Sequence, residues 1–229
     1  VSHECDFPSD VCVLPVVTSS RVHSQGSSAD IHEAIQELIR SALGIYDIKV
    51  DLLAELKPNV IITQDLCEVC AASLTDVEAA LCKVTEPDVQ LGSLQPRSLS
   101  GIWETIRQVG AALALEAKAD EVVQGLLDRV EAVRVRAAES QNRPSVLTVE
   151  WLDPIMVGGL WMPELIEIAG GTPLESAPEE TARTLERAQV EALEPDVVLL
   201  KPCGFTMDQT MEELPVVEWL PGDKVFVAD

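Results

Sequence analysis

From Ser98 onward, apolar residues return every three or four positions: Leu99, Ile102, Trp103, Ile106, Val109, Leu113 and Ala117. That spacing marks one face of an amphipathic helix about five turns long. Pro96 bars an earlier start, and Ser98 or Ser100 can cap the first turn. The apolar phase slips at residues 118–120 and resumes through Val122, Leu126, Val130 and Val133. The stretch 98–140 therefore reads as a long bridging helix, kinked or broken near 118–120.

Shorter periods flank it. Helical spacing predicts helices over 31–43 (capped by Ser28 or Asp30), 50–57, 75–81, 163–169, 185–193 and 208–214. Pro163 suits a first helical position, and Gly170–Gly171 a stop. Short β-branched or apolar runs predict extended segments at 1–6, 14–18, 59–63, 89–94, 145–150, 197–200 and 224–227. One unit occurs twice: Leu56-Lys57-Pro58-Asn59-Val60-Ile61-Ile62 and Leu193-Glu194-Pro195-Asp196-Val197-Val198-Leu199. Each copy follows a short helix, enters a strand, and opens into a loop that bears cysteine. Strands alternating with helices imply an α/β protein with mainly parallel sheets, because parallel neighbours need long crossovers. The expected organisation is two lobes, 1–97 and 141–229, joined by the helix 98–140.

Charge narrows the partners. The 229 residues carry a formal charge of −23, which offers no basic surface to phosphates and argues against nucleic acid or an anionic membrane as partner. No apolar run reaches the ~18 residues of a membrane span, so the chain is not expected to span a membrane. No leader pattern is visible, which leaves the cell envelope and the cytoplasm both open. Six cysteines include one Cys67-x-x-Cys70 pair without a second, too few for a closed zinc ribbon.

In open parallel sheets a ligand sits beyond the carboxyl ends of the strands. The loops expected there are 2–6, 18–21 and 64–70 in the first lobe, and 151–161 and 202–205 in the second. With only 3% aromatic residues, the presence of Trp151, Trp161 and Phe205 on these loops suggests stacking surfaces for a flat ligand. Asp153, Gln64 and Asp65 are the expected hydrogen-bonding partners, with Glu4, Asp6, Cys67, Cys203 and Gly204 beside them. The same loops support an alternative, a thiol and histidine site for zinc or copper, or a redox module, built from His3, Cys5, Cys67, Cys70 and Cys203; small buried thiols would also account for these cysteines. No G-x-S-x-G, P-loop, G-x-G-x-x-G or H-E-x-x-H occurs, so no catalysis is expected. The glycines at 158–159 read as a turn.

Several of these stretches resemble, in order, one known family. The run Val1-Ser2-His3-Glu4-Cys5-Asp6-Phe7-Pro8, the Leu56-Lys57-Pro58 strand element, and Met162-Pro163-Glu164-Leu165-Ile166-Glu167-Ile168-Ala169-Gly170-Gly171 are similar to segments of cobalamin-binding proteins of ABC importers. That group includes ferric-siderophore receptors with two α/β lobes and a helical backbone. The closest resemblance is to a cysteine-rich branch, through His3–Asp6, Gln64–Cys70 and Pro202–Phe205. It implies a non-catalytic receptor that holds a cobalamin-like corrinoid or another metal chelate between its lobes, with no resident cofactor and an ABC permease as partner. Glu164 and Asp76 are the implied counterparts of acidic residues that dock on the permease. It further implies a βα unit before Val1 and a closing helix after Asp229.

Overall fold

The computed structural model describes residues 1–22, 26–41, 45–64, 66, 77, 89–218, 220 and 224–228. Two compact units make up the chain. Unit 1 contains residues 1–23, 33–96 and 105–119, and unit 2 contains 24–32, 97–104 and 120–229.

In unit 1, β1 (Thr18–Ser20) pairs antiparallel with β2 (Tyr46–Ile48), and β3 (Val60–Gln64) pairs parallel with β4 (Gln90–Leu94). The expected strand at 1–6 is instead a turn, tied to the chain by the Val17 amide, which donates to the Val1 carbonyl. A 3-10 turn, Ser9–Val13, follows it. Helix α1 (Ser28–Arg40) starts one residue before the candidate caps permit. Ser27 caps it, and Asp30 answers from the third helical position: the Ser27 amide and hydroxyl donate to the Asp30 carboxylate, while the Asp30 amide donates to Ser27 Oγ. Those bonds hold Asp30 below the usual carboxylate range. Helix α2 (Val50–Leu56) ends on Lys57 in the left-handed conformation, φ 46°, directly before Pro58. The expected helix at 75–81 lies outside the described residues apart from Val77.

The long amphipathic stretch is two helices, α3 (Leu99–Ala112) and α4 (Glu116–Ala138). The break falls at residues 113–115, earlier than 118–120. Ala114 takes φ 54°, and the Leu115 amide reaches back to the Gly110 carbonyl at 2.7 Å. This closes the helix as glycine-based terminators do, without a glycine at the left-handed position. Gly110 is required for another reason: a Cβ there would lie 2.4 Å from that of Ala119.

Unit 2 is built on a six-stranded sheet. Its centre is β5 (Ser145–Trp151), flanked on one side by β9 (Val197–Leu200) and then β10 (Val225–Val227), all parallel. On the other side β5 pairs parallel with β7 (Thr172–Pro173) and antiparallel with β6 (Ile155–Val157), and β6 pairs with β8 (Arg183–Leu185). Leu147, Val149, Val198 and Leu200 are buried on one face with Leu152, Val157 and Val190. Each contributes about 1.5–3 kcal/mol by leaving water. Three short helices complete the unit: α5 (Met162–Ile168), α6 (Arg187–Leu193) and α7 (Met207–Glu213). Capping boxes start the last two, from Glu186 with Gln189 and from Thr206 with Gln209. Helix α5 stops where Gly170 adopts φ 88°; Gly171 packs so closely that a Cβ would lie 2.9 Å from Ile166 and Val146.

Candidate ligand-binding site

The strand ends of unit 2 carry most of the expected ligand residues. The β5–β9 register aligns Val149 with Leu200, so the next residues, Glu150 and Lys201, emerge side by side. Their side chains form an ion pair at 2.8 Å with both partners largely buried. The Lys201 amide donates to the Val149 carbonyl, and the Cys203 amide to the Glu150 carbonyl. Sequence reasoning missed this pair. Its signal was present: each is the first charged residue that follows the apolar run of its strand.

Trp151 ends β5 half-buried. Its indole N–H donates to the carbonyls of Ser28 and Asp153, at 3.2 and 3.1 Å. Phe205 meets it edge to face, with ring centroids 5.2 Å apart. Only 8% of Phe205 is exposed, so it supports Trp151 and is not the open stacking surface expected of it. Asp153 is exposed in the loop. Trp161 is half-buried at the position before α5, and its carbonyl accepts from the Leu165 amide. Cys203 and Gly204 are exposed, with Gly204 at φ 77°. Gly158 and Gly159 form a close approach of backbone, not a free turn. A Cβ on Gly158 would lie 2.4 Å from Thr148 Oγ1, and one on Gly159 would lie 2.5 Å from the Glu180 carbonyl oxygen. Beneath Gly158, Thr148 Oγ1 is buried without a partner.

Glu213 anchors the start of α1 in the same unit. Its carboxylate accepts from both the amide and the hydroxyl of buried Ser28, at 2.9 and 2.7 Å, as a negative group at a helix N-terminus should. Glu164 does the same for α3, accepting from the Leu99 amide at 2.8 Å. It is therefore engaged inside unit 2, which counts against its expected role as a docking residue; Asp76 lies outside the described residues. Among the described residues, two hollows lie in unit 2. The larger, about 460 Å³, lies against Leu99, Trp103, Leu127, Val130 and Ile168 and includes none of the expected ligand residues. The smaller, about 290 Å³, is lined by Phe205, Gly26 and α7.

In unit 1, Gln64 is exposed at the end of β3. His3 is fixed by Thr18, whose Oγ1 accepts the His3 amide at 3.0 Å and lies 2.8 Å from Nδ1. The Thr18 hydroxyl donates to Ser2 Oγ, so Nδ1 is the donor in its contact. Nε2 then faces Glu4 Oε1 at 3.3 Å, close enough for an ion contact but not aligned as a hydrogen bond. Tyr46 packs edge to face on His3 and donates its hydroxyl to the same Glu4 oxygen at 3.2 Å. Glu4 is thus oriented, whereas Cys5 and Asp6 are exposed. Among the described residues no three His, Cys, Asp or Glu side chains are placed to hold a metal ion. The run His3-Glu4-Cys5-Asp6, dense in possible ligands, makes no metal site by itself, and Cys203 joins none among the described residues. Asp65, Cys67 and Cys70 lie outside the described residues.

A family model described as "periplasmic binding protein" matches residues 17–221. The chain belongs to that family. Family members bind substrates and are not enzymes, and among the described residues no helix is long and apolar enough to cross a membrane. A search of curated proteins returned no match. Solved structures share the fold. An ABC transporter substrate-binding protein from Listeria monocytogenes superposes with a TM-score of 0.67 at 14% identity, over 100% of this chain and 80% of that one. IsdE of S. aureus, solved with heme, gives 0.62 at 16%, over 80% and 72%. The periplasmic vitamin B12 binding protein BtuF of Vibrio cholerae gives 0.53 at 18%, over 80% and 69%. The α/β fold, with helices and mainly parallel sheet, is that of helical-backbone substrate-binding proteins.

Proposed function

We propose that this family member binds a cobalamin-like corrinoid at its strand-end loops and hands it to an ABC permease at the cell envelope. The metal arrives inside the chelate, so no resident cofactor or separate metal ion is needed. The observation that carries the choice of ligand is the Glu150–Lys201 pair. Lys201 is a cation at the strand ends of unit 2, and Glu150 already neutralises it at 2.8 Å. Each unit taken by itself, the expected loops expose acids or an amide: Asp153 in unit 2, and Glu4, Asp6 and the amide of Gln64 in unit 1. In a chain of charge −23 they suit the amide N–H groups of a corrinoid better than the carboxylates of a heme, since like charges repel and unpaired ones are costly to desolvate. Trp151, braced by Phe205, and Trp161 supply apolar surface.

Titrating the full chain with cyanocobalamin and, separately, with hemin, while following tryptophan emission, tests this reading. Saturable quenching by cyanocobalamin with an affinity at least about tenfold above that for hemin, about 1.4 kcal/mol, is the expected result. Preference for hemin, or no response to cyanocobalamin at high micromolar concentration, contradicts it.

A further inference from the structure

Residues 174–182 form a strained arch in unit 2. Glu175 and Glu179 both adopt the left-handed conformation, φ 53° and 66°, and so does Leu160, φ 54°, in the segment the arch touches. These are non-glycine residues in a region that L side chains disfavour. The contact is reciprocal: the Leu160 amide donates to the Glu180 carbonyl, and the Glu179 amide donates to the Leu160 carbonyl at 3.1 Å. Gly159 makes the approach possible, because any Cβ there would strike the backbone of residues 180–182. Ser176 Oγ is buried in the arch without a hydrogen-bond partner. Strain of this kind persists only when something holds it.

Two arginines hold it: Arg183 pairs with the Glu175 carboxylate at 3.0 Å, and Arg97, just ahead of α3, takes the other strained residue. The Arg97 Nε and Nη2 both donate to the Glu179 carbonyl, at 3.1 and 2.8 Å. Arg97 is exposed, which weakens these bonds by solvent screening, but a charged two-pronged donor still fixes direction, and lysine cannot reproduce its fork. Leu99, two residues on, is itself fixed by Glu164, so Arg97 projects from an anchored turn. Leu160 directly precedes Trp161.

We propose that Arg97 is a positioning residue: it latches the strained arch onto Leu160 and thereby sets the place of Trp161 in the ligand-binding loop. The inference rests on the proposed function only for the role given to Trp161; the latch itself stands on geometry.

The test compares wild type, Arg97→Ala and Arg97→Lys. Amide hydrogen exchange in the unliganded chain reads the latch, and stopped-flow dissociation of cyanocobalamin reads the positioning. In Arg97→Ala the Leu160 and Glu179 amides are expected to exchange at least about tenfold faster, while Leu147 and Val149 in β5 stay protected. Cyanocobalamin is expected to leave about tenfold faster with its association rate and the unfolding midpoint unchanged, and Arg97→Lys to fall between. Unchanged exchange at Leu160 and Glu179 overturns the latch, whether or not a corrinoid binds. Faster exchange with an unchanged dissociation rate overturns the link to Trp161. A wild-type chain that takes up no corrinoid removes the functional reading, and the exchange comparison then decides the latch alone.

Discussion

The repeated helix–proline–strand element folds the same way in both units and ends up in two different environments. Lys57 and Glu194 each close a seven-residue helix at φ 46°, and a proline follows each. Beyond that point the copies diverge. Val197–Leu200 lies between β5 and β10, and alternate residues, Val198 and Leu200, are wholly buried. Val60–Gln64 has one described neighbour, β4, and none of its residues is fully buried. The second copy also has a clasp that is not seen among the described residues of the first. Asp196 accepts from the amide and hydroxyl of Ser145 and returns its own amide to Ser145 Oγ, which ties the start of β9 to the start of β5. Local chemistry therefore sets the turn, and the neighbours set what the strand is worth.

Truncation sharpens that contrast most. Leu200→Ala removes a side chain with 0% exposure and is expected to cost about 3 kcal/mol, the usual loss for a large aliphatic residue in a closed core. Ile62→Ala, in the half-buried strand one position before the counterpart of Leu200, is expected to cost about 1 kcal/mol. Urea unfolding of the two variants measures the difference; equal losses would mean that β3 is as well enclosed as β9.

A smaller effect isolates the clasp. The Ser145 amide, then its hydroxyl, and more weakly Lys224 hold the Asp196 carboxyl below the usual carboxylate range. A carboxyl with a lowered folded value stabilises the fold above its unfolded value, near 3.9, and loses that contribution as pH falls through the folded value. Asp196→Asn should therefore be less stable than wild type at neutral pH, and the gap should close on acidification below pH 4. A gap independent of pH would show that the clasp works through shape and not through charge.

The elements legible in the sequence were those with enough periodicity to outvote their neighbours: β5 and β9, α5 with its double glycine, and the long stretch now divided into α3 and α4. The strands missed, Ile155–Val157, Thr172–Pro173 and Arg183–Leu185, have two or three residues each, too few to show an alternation. The break at residues 113–115 was hidden because Ala114, not a glycine, takes the left-handed position. Among the candidate ligand residues, Asp153, Cys203 and Gly204 lie in loops that follow strands, whereas Trp151 is the last residue of β5 and Trp161 directly precedes α5. Sequence could not foresee that Phe205 is spent on packing against Trp151, that Glu164 caps α3, or that Lys201 is taken by Glu150. Those facts depend on partners 51 to 65 residues away in the chain, read from the Trp151–Phe205 separation of 54, the Glu164–Leu99 separation of 65 and the Lys201–Glu150 separation of 51.

A hydrogen-exchange footprint of the full chain, with and without saturating cyanocobalamin, tests the central claim most directly. Added protection in unit 2 confined to residues 151–161 and 201–206 is the predicted result. Protection centred on α4 and the 460 Å³ hollow, with those loops unchanged, would contradict it.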